Sequence, residues 1–114
     1  MAGRSSMNAR NLLLTLAVTT PITALAQTPE FTLKIKEHRF VPRELTVPAG
    51  KRLRLVIDNQ DPTPEEFESH SLRVEKVIPG RSRAALSVGP LKPGAYDFVG
   101  EFHESTAKGT LRAR

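Results

Sequence analysis

Apolar side chains recur at every second position along much of this chain of 114 residues. Residues 31–35 and 53–57 show the alternation most clearly. Since successive side chains of an extended strand point to opposite faces, this period places the apolar side chains on one face of a half-buried strand. Further segments of strand-forming composition are residues 44–47, 70–77, 83–88, 96–99 and 110–112. The sequence therefore predicts an all-β protein, with no helix longer than about one turn.

Turn signals separate these segments. Pro-Gly pairs stand at residues 79–80 and 93–94, and Pro-Ala-Gly occupies residues 48–50. Proline is favoured at the second position of a β-turn, and glycine at the third, where a positive φ costs it little. Short strands joined by such turns are typical of an antiparallel sandwich or barrel.

The first 26 residues differ from the rest of the chain. Two arginines precede the apolar run 12–18, and alanines at positions 24 and 26 provide the small residues that signal peptidase accepts. The apolar run is shorter than the ~20 residues that a membrane-spanning helix needs. We therefore interpret residues 1–26 as a signal peptide and residues 27–114 as one exported domain, and we expect it in a bacterial periplasm.

Charge and cysteine content narrow the possible classes of protein. The whole chain has a formal charge of +5, and removal of residues 1–26, with two arginines and no acid, lowers it to +3. Such a mild and evenly mixed charge argues against nucleic acid as a partner. The chain has no cysteine, so the domain must be stabilised by packing, with or without a bound metal, rather than by disulfides.

An acidic segment, residues 58–70, interrupts the strand pattern. It contains five carboxylates, two prolines and neither lysine nor arginine. Carboxylates concentrated in this way repel one another unless a positive charge lies nearby. Three interpretations are open: a solvated loop, a cation site, and a docking surface for a basic partner.

A second polar group follows the strand predicted at residues 96–99. Residues two apart in an extended chain point the same way, about 6.5–7 Å apart, so Glu101 and His103 are expected to share a face and converge on one ion. The acidic segment is expected to close the site from a neighbouring strand end. Carboxylate and imidazole donors suit copper(II), iron, zinc or manganese. The candidate ligands are Glu66, Glu68, His70, Glu101 and His103.

Other residues in and near these segments are expected to have structural rather than metal-binding roles. His38 lies among charged residues, and we interpret it as an exposed or capping residue. Phe67, Phe98 and Phe102 are expected to pack in the core or at its rim.

The order of these features resembles the cupredoxin fold. The motifs are VPAG at residues 47–50, the strand 53–57 followed by Asn59, PGAYDF at residues 93–98, and a late His103. The resemblance covers roughly residues 30–112 and implies a Greek-key β-sandwich with a metal site at one end.

The chain departs from the blue-copper members of that fold. Those members carry a cysteine, a histidine three residues later, and usually a methionine shortly before a glycine. The corresponding positions here are Gly100, His103, and Ala107 or Lys108. Because the thiolate is missing, a blue electron carrier is not expected.

The sequences EEFES at residues 65–69 and GEFH at residues 100–103 more closely resemble cysteine-free cupredoxin-like proteins of bacterial iron-uptake operons. This resemblance implies a periplasmic accessory protein that binds one copper(II) or iron ion and assists iron uptake through an oxidase-coupled permease. The implied partners are that iron permease or other periplasmic iron-uptake components, with membrane association only through a partner. An independent enzyme is not expected, although a partner would allow participation in ferrous iron oxidation. The alternative is a metal-free β-sandwich whose acidic end docks a membrane partner.

Overall fold

The computed structural model describes residues 17, 19 and 27–114. Within them the chain forms nine strands and one 3₁₀ turn, Glu101–His103. The strands are β1 (Glu30–Lys36), β2 (Arg39–Val41), β3 (Glu44–Val47), β4 (Leu53–Asn59), β5 (Glu65–Ser69), β6 (Val74–Ile78), β7 (Ser82–Val88), β8 (Gly94–Gly100) and β9 (Lys108–Ala113). The predicted all-β class is confirmed.

The strands form two sheets that pack face to face. One sheet has the order β2-β1-β4-β7, and the other has the order β3-β9-β8-β5-β6. The prediction of an antiparallel sandwich was wrong in part, because β1 pairs with β4, and β3 with β9, in parallel. Between β1 and β4 the chain crosses to the opposite sheet to form β3, and it then re-enters the first sheet in its original direction.

The core lies between the two sheets. Phe40 is its aromatic centre, with its ring edge-on to Phe98 and Phe67 at centroid distances of 4.9 and 5.9 Å. Edge-to-face contacts of this kind add stability beyond the buried area. The predicted packing role of Phe67 and Phe98 is confirmed, whereas Phe102 is 50% exposed. The largest fully buried aliphatic side chains are Leu33, Ile35, Leu53, Leu55, Ile57, Ile78 and Leu111.

Most of the acidic segment is strand rather than loop. Strand β4 continues to Asn59 and β5 begins at Glu65, so only five residues connect them. The buried side chain of Asn59 holds this connection by donating to the carbonyl of Thr63 (2.9 Å) and accepting from the amide of Asp61 (3.1 Å). The strand predicted at residues 70–77 is correspondingly shorter, because residues 70–73 form the turn between β5 and β6.

The turn glycine Gly80 has a different role from the one predicted. Gly94 has a positive φ of 154°, but in the other Pro-Gly turn it is Arg81, with φ 52°, that adopts the left-handed conformation. A Cβ atom at Gly80 would lie 2.1 Å from the carbonyl oxygen of Pro62. Gly80 is therefore required by the close approach of two backbones.

The predicted signal peptide, residues 1–26, lies outside the described residues apart from positions 17 and 19. Within the part of the chain that the structure describes, no helix has the length and apolar character needed to cross a membrane.

Candidate metal centre

The turn between β1 and β2 carries His38 to one end of the sandwich. Glu37 and His38 both have left-handed backbones, with φ of 54° and 57°, which is uncommon for residues other than glycine. The buried carboxylate of Asp61 holds them there by accepting hydrogen bonds from the amides of Glu37 (2.7 Å) and His38 (2.9 Å). Burial raises the pKa of Asp61, but these two backbone hydrogen bonds, together with the nearby imidazoles of His38 and His103, outweigh burial and hold that pKa below its ordinary value.

The 3₁₀ turn after β8 brings His103 to the same end. His103 Nδ1 lies 2.6 Å from Oε2 of Glu65, whose side chain is only 2% exposed. Oε1 of Glu65 accepts hydrogen bonds from the amides of Phe102 (2.9 Å) and Glu66 (3.0 Å). These contacts fix both the carboxylate and the 3₁₀ turn, so that Glu65 and His103 form one rigid pair.

Glu65 also explains the glycine at the position where blue-copper members carry cysteine. A Cβ atom at Gly100 would lie 2.6 Å from Cδ of Glu65 and 2.7 Å from Cβ of Ala107. Real Cβ atoms essentially never approach other atoms so closely. The Glu65 carboxylate therefore occupies the space that a side chain at position 100 would take.

The two histidines lie against each other. The rings of His38 and His103 stack with their centroids 3.6 Å apart and their planes at 13°. Nδ1 of His38 is buried but has no hydrogen-bond partner. Oδ2 of Asp61 is 3.4 Å from it, but the contact lacks hydrogen-bond geometry. An orphaned ring nitrogen of this kind is available to a ligand.

His38, Glu65 and His103 form a candidate metal centre, because each contributes one donor atom and all three atoms lie within 4.8 Å of one another. Two imidazoles and one carboxylate suit iron(II), copper(II) or zinc. The orphaned Nδ1 of His38 and this donor set fit a single ion. The site is also accessible, since the side chains of His38 and His103 are 43% and 28% exposed.

The structure separates Glu101 from His103, contrary to the predicted shared face. The two residues belong to a 3₁₀ turn rather than to an extended strand. With about three residues per turn, side chains two positions apart point in different directions. Glu101 instead joins Glu66 and Glu68 in an acidic trio whose donor atoms also lie within 4.8 Å of one another.

The acidic trio lies on the outer face of β5, because side chains alternate along that strand and Glu65 faces inward. A hydrogen bond with Glu101 raises the pKa of Glu66 to about 7, and one with Glu101 also raises the pKa of Glu68. Hydrogen bonds from Glu68 and Glu66 lower the pKa of Glu101. Below about pH 7, Glu66 therefore holds a proton that it donates to the Glu101 carboxylate.

His70 belongs to neither cluster of three donors. It lies in the turn after β5 with its side chain 95% exposed, and its Nε2 is 3.0 Å from Oε1 of Glu68. Of the five predicted ligands, the structure thus brings Glu66, Glu68 and Glu101 together, with His70 beside Glu68. It places His103 in the other cluster.

Sequence reasoning missed His38 and Glu65 as donors. Glu65 occupies an inward position of β5, together with Phe67 and Ser69, and a buried carboxylate at a strand end is itself a signal of a site. No local signal marks His38, because only the tertiary fold brings the β1–β2 turn to the 3₁₀ turn.

Fold and donors together define a small β-sandwich protein with a candidate metal centre at one end. A sequence profile of the cupredoxin-like domain matches residues 9–113. The chain therefore belongs to the cupredoxin-like domain family, and the predicted Greek-key β-sandwich of this type is confirmed.

One relative by sequence is an uncharacterised protein of Rickettsia prowazekii (strain Madrid E). It is 45% identical over 82 residues, which cover 72% of this chain and 66% of the relative. This chain thus spans slightly less than two thirds of the relative's length.

Solved structures show the same fold at low identity. Auracyanin A, a "blue" copper protein from Chloroflexus aurantiacus, has a TM-score of 0.66 at 13% identity, covering 77% of this chain and 100% of that chain. The metal-binding domain of the Streptococcus pneumoniae D39 Cu(I)-exporting P-type ATPase CopA, solved with Cu(I), has a TM-score of 0.65 at 12% identity, covering 80% and 91%. At such identities these likenesses speak to fold alone.

Proposed function

We propose that the protein binds one copper(II) or iron ion at the metal centre formed by His38, Glu65 and His103. The observation that carries this proposal is the group of two imidazoles and one buried carboxylate whose donor atoms lie within 4.8 Å of one another, in which the buried Nδ1 of His38 lacks a hydrogen-bond partner. A buried polar atom without a partner costs free energy unless a ligand satisfies it.

Each residue around the centre would have a separate role in holding an ion. Glu65 supplies negative charge from inside the protein, and the imidazoles of His38 and His103 supply neutral donors at the exposed side. Asp61 fixes the turn by accepting one hydrogen bond from the amide of Glu37 and one from the amide of His38. These bonds keep the His38 side chain at the site without using a ligand position. When bound, a copper or iron ion would supply Lewis acidity and one-electron redox capacity.

We propose in addition that the protein acts in the periplasm as an accessory of iron uptake, with an iron permease or another periplasmic uptake component as partner. The support is the resemblance of EEFES and GEFH to cysteine-free cupredoxin-like proteins of iron-uptake operons. An exposed centre without a thiolate suits an ion that is received and passed on better than a permanently enclosed one. Oxidation of ferrous iron would need an electron acceptor provided by a partner.

Calorimetric titration of metal-free protein with copper(II), and with iron(II) under anaerobic conditions, tests the metal centre. We expect one ion per protein. Binding should be lost in Glu65→Gln and in His38→Asn, since asparagine tolerates the left-handed backbone of position 38. His70→Ala is the matched control and should bind normally. Binding that persists in Glu65→Gln but disappears in Glu66→Gln would assign the ion to the acidic trio instead.

A docking module is the second candidate, and a different observation favours it. The acidic trio lies between two exposed apolar side chains, since Phe102 follows Glu101 in the chain and Val77 is the cross-strand partner of Glu66. Phe102 is 50% exposed and Val77 is 47% exposed. Apolar side chains beside concentrated charge are typical of surfaces that bind a complementary partner.

Charge reversal separates the two candidates. The double variant Glu66→Lys/Glu68→Lys should abolish binding to the partner's basic segment if the acidic end docks it, whether or not metal is present. The metal centre should keep its affinity for copper(II) in that variant within a few-fold. Partner binding that requires metal and survives the reversal would eliminate the docking module.

A further inference from the structure

A cleft of about 340 Å³ opens between β2 and the segment that follows the 3₁₀ turn. Arg39 and Arg43 line it on one side, and Ser105, Thr106 and Lys108 line it on the other. Its volume is at the lower end of the range found for pockets that bind small molecules. The cleft is thus large enough for a small ligand and contains side chains able to recognise one.

The three cations of this cleft have no acidic partner among the described residues. Among the described residues, the arginines and lysines that lie within 4.0 Å of a carboxylate all belong to other parts of the molecule. They are Arg54, Arg83 and Arg112. Three positive charges that line one concavity repel one another unless an anion is present. The side chains that line this cleft therefore include three positive charges and no acid, and a bound anion would offset their repulsion.

We propose that this cleft binds a small oxyanion with at least two negative charges, either a polycarboxylate or a phosphate. The guanidinium groups of Arg39 and Arg43 present paired N–H donors that match carboxylate or phosphate oxygens. Lys108 adds a third charge, and the hydroxyl of Ser105 adds a donor. These groups form an anion site that is separate from the donor atoms of the metal centre.

Position in the chain places the anion beside the metal centre. Arg39 directly follows His38, and the amide of Thr106 donates to the carbonyl oxygen of His103 (3.1 Å). A ligand held in the cleft would lie next to the two histidines. Polycarboxylates and phosphates also accompany metal ions in solution, because their oxygens are ligands for hard cations.

A larger cleft next to it does not share this preference. It measures about 840 Å³ and shares Arg43, Ser105 and Lys108, but three acids also line it, namely Glu44, Asp97 and Glu104. These three acids outnumber the two cations of the larger cleft, Arg43 and Lys108, so that cleft does not favour an anion. The anion site is confined to the smaller cleft, where Arg39 takes the place of the acids.

The test uses metal-free protein, so that it is independent of the proposed metal centre. Low ionic strength keeps salt from screening the attraction between the anion and the cleft. Citrate and inorganic phosphate are titrated separately by calorimetry, and amide chemical shifts locate the bound anion. We expect saturable binding of one anion per protein, with shifts concentrated at residues 39–43 and 105–108. The tighter of the two anions identifies the ligand as a carboxylate or a phosphate.

Variants separate a built site from general attraction to a basic protein. Arg43→Ala should weaken binding at least about tenfold, the loss expected for one charge-assisted hydrogen bond. Arg52→Ala removes the same charge outside the cleft and should leave the dissociation constant within about twofold, since Arg52 attracts the anion only from a distance. Failure of both anions to saturate the protein, or equal weakening in the two variants, would overturn the proposal. Melting temperatures confirm that each variant is folded, since both arginines are exposed.

Discussion

The imidazole rings of His38 and His103 lie face to face, with centroids 3.6 Å apart and planes at 13°. Ring-nitrogen lone pairs lie in the plane of their ring. Two nearly parallel rings therefore cannot both direct a lone pair at the same ion, and at least one ring must turn when the centre binds metal. Coordination of one ion by both histidines, as proposed, would therefore require the stack to open.

Binding of zinc, which has no redox chemistry and is diamagnetic, should unstack these rings. The ring protons of each histidine are shielded by the other ring, so both sets of resonances should shift downfield on titration with zinc(II). Two-dimensional spectra of the histidine rings measure this change, and His70 provides an internal control that should not move. If both rings keep their shifts at saturation, the ion lies elsewhere.

Metal binding should stabilise the folded protein by an amount that grows with the logarithm of the free ion concentration above the dissociation constant. An ion that binds only the folded state at a free concentration 100 times its dissociation constant adds about 2.7 kcal/mol to the free energy of unfolding. Chemical denaturation with and without copper(II) measures the gain, which a chelator should reverse. In His38→Asn the gain should largely disappear, and an undiminished gain there would remove His38 from the centre.

Replacement of Asp61 by asparagine should destabilise the protein by about 1.5–3 kcal/mol at neutral pH, the range for hydrogen bonds to a charged group. The pKa of Asp61 lies below its ordinary value of 3.8. The stabilisation is therefore present above that unfolded-state value and is lost as pH falls through the lower folded-state pKa. Denaturation of both proteins should show the difference shrinking in strong acid.

The exposed Asp97 is the control for this change, since its carboxylate accepts a hydrogen bond from the hydroxyl of Thr110 rather than from backbone amides. Asp97→Asn should cost no more than about 0.5 kcal/mol, as is usual for surface substitutions. Equal losses in the two variants would show that the β1–β2 turn does not depend on the Asp61 carboxylate.

Gly100→Ala should destabilise the protein by about 1–3 kcal/mol, the usual cost of overpacking. The added methyl group meets the Glu65 carboxylate. The cost should be smaller in a Glu65→Ala background, because the two changes share one space and are not additive. Chemical denaturation of the wild type, the two single variants and the double variant measures this coupling. Strict additivity would mean that Glu65 does not occupy that space in solution.

Glu66→Gln should stabilise the protein above neutral pH and have a smaller effect in mild acid. The hydrogen bond with Glu101 raises the pKa of Glu66 from 4.5 to about 7. The folded protein thus retains a proton that the unfolded chain releases, and wild-type stability falls as pH rises between those two values. Because glutamine cannot ionise, the variant does not lose this stability as pH rises.

Melting temperatures at about pH 5 and about pH 8 measure the effect as the gap between variant and wild type. That gap should widen with pH for Glu66→Gln and stay constant for Glu104→Gln, which alters an exposed carboxyl outside the trio. A gap that is the same at both pH values would show that the proton is not held at Glu66.

The sequence predicted strands best where one face is apolar and the other polar. The segments at residues 31–35 and 44–47 are strands β1 and β3, and β1 exceeds its prediction by one residue at each end. Strand β5 was hidden because two of its three inward side chains, Glu65 and Ser69, are polar. Its polar residues therefore did not alternate with apolar ones, and no strand was predicted there.

The sequence predicted that Glu101 and His103 share a site, whereas the structure places them in two separate donor clusters. The error at Glu101 came from the assumption of extended backbone, since one 3₁₀ turn sends its side chain away from His103. His38 could not be found from spacing, because its turn is distant in the chain from that of His103. Such a contact depends on how the sheets pack, which single-sequence patterns do not contain.

The parallel pairing of β3 with β9 limits the order in which the domain assembles. β9 is the only strand that pairs with β3 among the described residues, and most of the domain's sequence separates the two. Pairings so distant along the chain are slow to form. The second sheet stays open until β9 inserts between β3 and β8, and its unpaired edges are exposed to neighbouring chains during that interval. Kinetic competition with aggregation, rather than stability of the finished sandwich, is therefore expected to govern the yield of refolding.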